Sequence, residues 1–389
     1  MVTLGIDAIF SSRLPWQKGD KVGLLCNQAS VNSALLHSRI VVHREIGSDF
    51  TCLFSPQHGF YADKQDNMIE SDHAVDALTG LPVFSLYGET RKPTKQMFDH
   101  LDVLLIDLVD VGTRVYTFLY TMAYCLEAAA QFGKKVVVLD RPNPLGGIMV
   151  EGNVLKTDFA SFVGLFPLPM RHGLTFAELA SFINEEYGIG ADLQTIPMRG
   201  WRRTMYYRDT GLPWTFPSPN MPTPETAVVY PGQVIWEGTL VSEGRGTSLP
   251  FELVGAPYWR HEPILAELAK TDLPGCCLRP LIFEPTSGKW AGEACTGFHL
   301  HVIDNRVFKP YRTSLALLQT VYTLYPDDFS YKSPPYEYEF EKLPMDLILG
   351  DQDVRKKLEQ GTALEQLEDE WSDALAAFDH KRRNYFLYE

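Results

Sequence analysis

The sequence predicts an α/β protein: a Rossmann-like parallel sheet in an N-terminal domain, followed by a smaller α+β C-terminal domain. Three observations carry that expectation. Short apolar runs without a polar break recur at Lys21–Leu25, Thr51–Phe54, Val103–Ile106 and Val136–Leu139. Such runs suit strands buried on both faces. Helical stretches alternate with them, which predicts right-handed crossovers between parallel strands. After Tyr230 the character changes to short β-like pieces followed by helices, and 389 residues are enough for two domains, possibly three. The boundary is placed near Pro231, giving domains 1–230 and 231–389.

In chain order, the strand at 21–25 ends at Cys26-Asn27-Gln28, and an amphipathic helix from Ala34 to Ile46 closes at Gly47. The strand at Thr51–Phe54 ends in Ser55-Pro56-Gln57-His58-Gly59. Leu81–Leu86 is short and holds a proline near its start, which suits an edge strand. Tyr116 to Phe132 reads as a helix closed by Gly133. Thr175-Phe176-Ala177-Glu178 is a capping box, opening a helix that runs to Gly188. Thr204–Asn220 reads as a long ordered loop. Leu278–Phe283 and Gly297–Ile303 are β-like. The last helix starts at Thr362 with a second capping box through Glu365, and Leu364, Leu367, Trp371, Leu375 and Phe378 form one packed face.

Composition excludes several functions. The formal net charge is −14 and no basic stripe occurs, so no nucleic-acid partner is expected. No apolar run is long enough for a membrane span. The opening MVTLGIDAIF lacks a basic region followed by a long apolar core, so the expectation is a cytoplasmic protein, or an extracytoplasmic one if the chain has been trimmed. The six cysteines lack a metal-type CxxC pair, and Cys26, Cys52 and Cys125 read as buried thiols in a reducing compartment. No GxGxxG follows the first strand, so the dinucleotide fingerprint is absent and no cofactor is expected. No metal is expected either: His299 and His301 alternate on one strand face, but no third ligand is evident.

The chemistry-bearing residues gather after strands. Gln57 and His58 follow one, Asp107, Asp110 and Arg114 another, and Asp140, Arg141 and Asn143 a third. Open α/β sheets bind ligands at that edge. The prolines of Asp140-Arg141-Pro142-Asn143-Pro144 keep the third loop extended, although a structural Asp–Arg pair would also explain it. Two later stretches are equally distinctive: Phe216–Thr223, where three prolines surround Asn220, and Trp236–Thr247, which carries Glu237, Glu243 and Arg245 among three glycines. Arg171 and His172 precede the capped helix.

Taken together, GLLCNQASVN, LFSPQHGF, LLIDLVDVGTRVYT, VVVLDRPNPLGG, MRHGLTFAELA, PSPNMPTPETAVVYPG and EGTLVSEGRGTSLPFE resemble the NamZ-type exo-β-N-acetylmuramidases. The resemblance covers nearly the whole chain, through LILGDQDVRKKLEQG to the ending RRNYFLYE. It implies release of N-acetylmuramic acid from the non-reducing ends of peptidoglycan fragments, so the expected partner is a muramyl saccharide. That family usually reads SPEHG where this chain has Gln57. An amide cannot supply a proton at neutral pH, so the alternative is a catalytically impaired binder of muramyl sugars. A 2-acetamido sugar can use its own amide oxygen as nucleophile, leaving the protein to provide one acid. The expected catalytic residues are Glu243, the first choice for that acid, with His58 and Asp110. The expected binding set is Gln57, Arg114, Asp140, Arg141, Asn143, Arg171, His172, Asn220, Glu237 and Arg245. Arg114, Arg171 and Arg245 are the candidates for the lactyl carboxylate, since a planar guanidinium binds a carboxylate bidentately.

Overall fold

The apolar runs and the alternating helices build a seven-stranded sheet. A computed structural model describes residues 1–11, 13–64 and 68–389. The strands are β1 (Val22–Cys26), β2 (Phe50–Ser55), β3 (Ala74–Val75), β4 (Pro82–Ser85), β5 (Val103–Asp107), β6 (Lys135–Leu139), β7 (Glu151–Val154), β8 (Pro169–Arg171), β9 (Asp192–Ile196), β10 (Leu253–Ala256), β11 (Cys276–Phe283) and β12 (Cys295–Val302). The large sheet has the order β3-β4-β2-β1-β5-β6-β9. All its neighbours are parallel except β3, which pairs antiparallel with β4. The order reverses between β1 and β5, the switch point of a Rossmann-like sheet. β1 and β5 are buried at every residue, as their unbroken apolar runs require.

Apolar side chains fill both faces of this sheet. One face carries the helix Phe118–Phe132, which ends at Gly133 with φ 65°, and the helix Phe176–Glu186. The chain then forms the helix Pro224–Gln233, a three-stranded antiparallel sheet β10-β12-β11, and helices that include Pro310–Leu324 and Leu364–Arg382. One apolar core runs continuously from the large sheet into these helices.

Several expectations need correction. The first long helix begins at Ser38, not Ala34, because the Asn32 carboxamide accepts from the amides of Ala34 and Leu36 and holds them in a turn. β4 is not an edge, since β3 covers it. Pro231, near which the domain boundary is expected, lies inside the helix Pro224–Gln233. The capping box at Thr362 does not form: the N-cap is Ala363, and Glu365 bonds Arg312 instead. Of that helix's apolar stripe, Leu364, Leu367 and Phe378 are buried and Trp371 and Leu375 half-buried. β7, β8, β9 and the helix at 224–233 have no counterpart in the expected elements.

Candidate active site

The turn after β2 brings the first functional groups to a narrow pocket. His58 has a φ of 69° and the next residue, Gly59, 79°, so the chain reverses sharply and leaves Gln57 and His58 on the pocket wall. The His58 Nδ1 lies 2.7 Å from the Lys64 carbonyl oxygen. A carbonyl only accepts, so Nδ1 carries a proton and donates it. Gln57 is fixed at both ends. Its Oε1 accepts from the Thr117 hydroxyl, and its Nε2 donates to the Tyr87 hydroxyl at 3.0 Å and to Glu337 Oε1 at 3.1 Å.

The C-terminal half supplies the opposite wall. Glu237 ends a short helical turn, Val234–Gly238. It accepts from Arg245 Nη2 and from the Tyr336 hydroxyl, each at 2.6 Å. Arg245 follows Gly244, whose φ is 76°, and a Cβ there would lie 2.9 Å from the carbonyl oxygens of Leu249 and Leu253. Only glycine fits that bend. Tyr116, Phe118, Tyr230 and Phe251 provide aromatic surface, with Tyr230 and Phe251 in an edge contact at 4.8 Å. Ser218 and Asn220, from the proline-rich loop, complete the rim.

Three carboxyls stand in or behind this pocket, in three environments. Glu243 lies behind Arg245 and does not line it. Its Oε2 accepts from Lys289 Nζ at 2.7 Å, and Arg245 Nε lies 3.4 Å from its Oε1. Burial opposes ionisation of Glu243, but the charges of Lys289 and Arg245 overcome it and hold the carboxyl below its ordinary range. Bonded to two cations and set behind Arg245, Glu243 is placed as their counter-charge and not, as expected, on the pocket wall. Glu237 is matched to one cation and one phenol. Among the described residues Glu337 has neutral donors: Gln57 on Oε1 and Tyr87 on Oε2, the latter at 2.7 Å. Burial pushes its carboxyl up, Tyr87 and Gln57 pull it down, and the charge of Glu237 pushes it up again, with a net rise.

Of the expected site residues, Gln57, His58, Asn220, Glu237 and Arg245 line this pocket. The others belong to the interior. Arg114 is fully buried and donates to the carbonyls of Asn153, Leu168, Ile348 and Leu349. Both its terminal nitrogens are therefore engaged, and it is a strut between distant segments. Arg141 forms a buried pair with Asp107, Nη2 to Oδ2 at 2.9 Å, and fills the switch point between β1 and β5. Asp140 accepts from the Thr175 hydroxyl, the Ala177 amide and the Tyr388 hydroxyl, and so holds the start of a helix. Burial raises its carboxyl to about 7 despite those donors. Asn143 ties Leu145 to Leu174. Arg171 donates to the Leu145 carbonyl. His172 accepts from the Leu174 amide on Nδ1, which leaves its ring proton on Nε2, 3.4 Å from Asp110 Oδ2. Asp110 also accepts from the Gly112 amide. The strand-end clustering thus has two outcomes: the β2 end opens on the pocket, while the β5 and β6 ends are packed with their own polar partners.

Tyr87, Thr117, Lys289, Tyr336 and Glu337 escaped the sequence reading. Tyr87 stands beside Gly88 just after β4, and Thr117 closes the stretch LLIDLVDVGTRVYT after β5. For Tyr336 and Glu337 the signal was the alternation of aromatics and acids in Tyr336-Glu337-Tyr338-Glu339-Phe340. Away from the pocket, the His299 and His301 rings lie 3.8 Å apart, His299 faces Glu252, and Arg279 donates to His301. Among the described residues no group of three His, Cys, Asp or Glu is placed to hold a metal ion, and no helix is long and apolar enough to cross a membrane.

A Rossmann-like domain joined to a second domain over a carboxyl-bearing, aromatic pocket suits acid–base chemistry on a small polar molecule. The comparisons sharpen that class. The N-terminal model of the exo-β-N-acetylmuramidase NamZ matches residues 22–225, and the C-terminal model matches 228–388. The chain belongs to this family. It is 42% identical over 387 residues to the peptidoglycan β-N-acetylmuramidase NamZ of Bacillus subtilis strain 168, covering 100% of this chain and 91% of that protein. Two crystal structures of DUF1343 family proteins from Bacteroides fragilis share the fold. One has a TM-score of 0.89 at 33% identity, the other 0.79 at 27%; each alignment covers 100% of this chain and 99% of the other.

Proposed function

We propose that this protein is an exo-acting glycoside hydrolase that releases N-acetylmuramic acid from the non-reducing ends of peptidoglycan fragments. The observation that carries the reading is the placing of two carboxyls, Glu237 and Glu337, on one narrow aromatic-walled pocket with different electrostatic surroundings. Glycosidases need one group that stays ionised and one that holds a proton, and environment divides those roles. Full-length membership of the NamZ family supplies the substrate class. Aromatic rings offer apolar surface to the carbon face of a sugar, while Asn220 and Arg245 offer donors to its oxygens. Arg245 is the one of the three expected arginines that lines the pocket, and it is our candidate for the lactyl carboxylate. Gln57 does not strip the site of acids, because Glu337 stands next to it; that removes the ground for an impaired binder.

The test is hydrolysis of a nitrophenyl N-acetylmuramide beside the matching N-acetylglucosaminide. A charge-assisted bond to the lactyl group is worth about 1.5–3 kcal/mol, so the muramide is favoured roughly tenfold to over a hundredfold in kcat/KM. Equal rates on the two sugars would remove lactyl recognition, and no hydrolysis of either would refute the activity.

A further inference from the structure

Resting on the muramidase reading, we propose that Glu337 is the general acid, a carboxyl delivered by a C-terminal loop and gripped by Gln57 and Tyr87 of the N-terminal domain.

Position comes first. Glu337 lines the pocket and is 3% exposed. Its two oxygens are met by an amide and a phenol, with no cation in contact among the described residues. A carboxyl oxygen that accepts one bond can still carry a hydrogen directed elsewhere, so Glu337 can be held by its neighbours and keep a proton for the pocket. The other two carboxyls cannot do this. Glu237 is bonded to a guanidinium and Glu243 is paired with two cations.

The backbone adds an independent observation. Glu337 has a φ of 45° and Tyr338 one of 67°. Neither is glycine, so each sits in a left-handed conformation that L residues seldom adopt. Reciprocal backbone bonds between Tyr336 and Glu339, both 3.0 Å, hold the turn. Strain of this kind is retained where it aims a side chain, and here it aims a carboxyl at Gln57 and Tyr87. The charged and titratable groups around Glu337 include Tyr87 and Arg91 from the N-terminal domain, Tyr230 from the helix Pro224–Gln233, Glu237 from the turn at 234–238, and Tyr336 and Tyr338 on its own loop. Burial and the charge of Glu237 outweigh Arg91 and the two donors, which favours the protonated form.

In the step itself, the Glu337 proton passes to the glycosidic oxygen as the bond from that oxygen to the anomeric carbon breaks. The bonding electron pair goes to the leaving oxygen. One water then supplies the new hydroxyl at the anomeric carbon, and its other proton restores the acid form of Glu337.

The experiment compares wild type and Glu337→Gln on two substrates with the same muramyl group. A nitrophenol leaves as its anion and needs no proton; the sugar of a muramyl disaccharide does need one. Glu337→Gln should lose about a hundredfold or more in kcat/KM on the disaccharide, less than tenfold on the nitrophenyl glycoside, and the basic limb of the pH profile. Tyr87→Phe, which removes a donor to the carboxylate, should move that limb to higher pH and confirm the assignment without removing the carboxyl. Equal losses of Glu337→Gln on both substrates, or full activity on the disaccharide, would overturn the assignment alone. So would an unmoved limb in Tyr87→Phe. A wild type inert on both substrates would refute the muramidase reading together with the assignment.

Discussion

At the scale of single residues, the roles of the carboxyls follow from their partners. Glu243 is bonded as an anion, so Glu243→Gln should leave Lys289 and Arg245 undercompensated and cost roughly 3 kcal/mol of stability, measured by chemical unfolding. Its pH–rate profile should keep the basic limb. Loss of that limb would return Glu243 to the acid role the sequence suggested. Gln57 is the second case. Gln57→Glu would set a carboxyl beside Glu337, at a separation now spanned by a 3.1 Å hydrogen bond. Two carboxyls that close share a proton, and one of them titrates well above its ordinary range. The expected outcome is a basic limb moved to higher pH and no gain at neutral pH. A strong gain from an inert wild type would mean that position 57 is where the acid belongs. Gln57 and His58 were legible as pocket residues because a strand end, a proline and a glycine frame them. Glu337 was not, because its place depends on a turn 280 residues away in sequence from the amide it meets.

At the scale of elements, the polar ends of β5 and β6 were legible as positions but not as roles. A strand end says where a side chain starts; its partner decides what it does. Asp140 shows this, since its carboxylate collects Thr175, Ala177 and Tyr388, the last of them at the far end of the chain. Asp140→Ala should orphan those donors and lower stability by roughly 2 kcal/mol or more, read as a fall in melting temperature. Measured well below that melting point, kcat/KM on the nitrophenyl muramide should stay within about threefold of wild type, since a capping group adds nothing to transition-state binding. A collapse in kcat/KM with an unchanged melting temperature would put Asp140 back in the site. Helices with a cap and a clear period were read well, as at Thr175 and Gly133. The helix at 224–233 was hidden by Pro231 within it, and β9 by half-exposed, mostly polar residues that lack an apolar run.

At the scale of the whole molecule, buried acids tie stability to pH. Glu151 on β7 accepts from the Arg312 amide, and burial raises its carboxyl from 4.5 to about 7. A carboxyl raised on folding favours the folded state in its protonated form. Its contribution is therefore complete below about pH 4.5 and is lost as the pH rises through about 7. Glu151→Gln keeps the shape and removes the titration, so the difference in stability between variant and wild type should shift in the variant's favour by roughly 3 kcal/mol from pH 4 to pH 8. A difference independent of pH would show that Glu151 does not titrate in that range.

The same scale holds the central claim, that both halves of the chain together make one pocket for a terminal muramyl sugar. The most direct measurement is mass spectrometry of products from a peptidoglycan oligosaccharide with N-acetylmuramic acid at its non-reducing end, sampled from the earliest turnover. The account predicts free N-acetylmuramic acid and a chain shortened by that one sugar, which resists further cleavage because N-acetylglucosamine now ends it. Internal fragments, N-acetylglucosamine as the first product, or an untouched chain would contradict it.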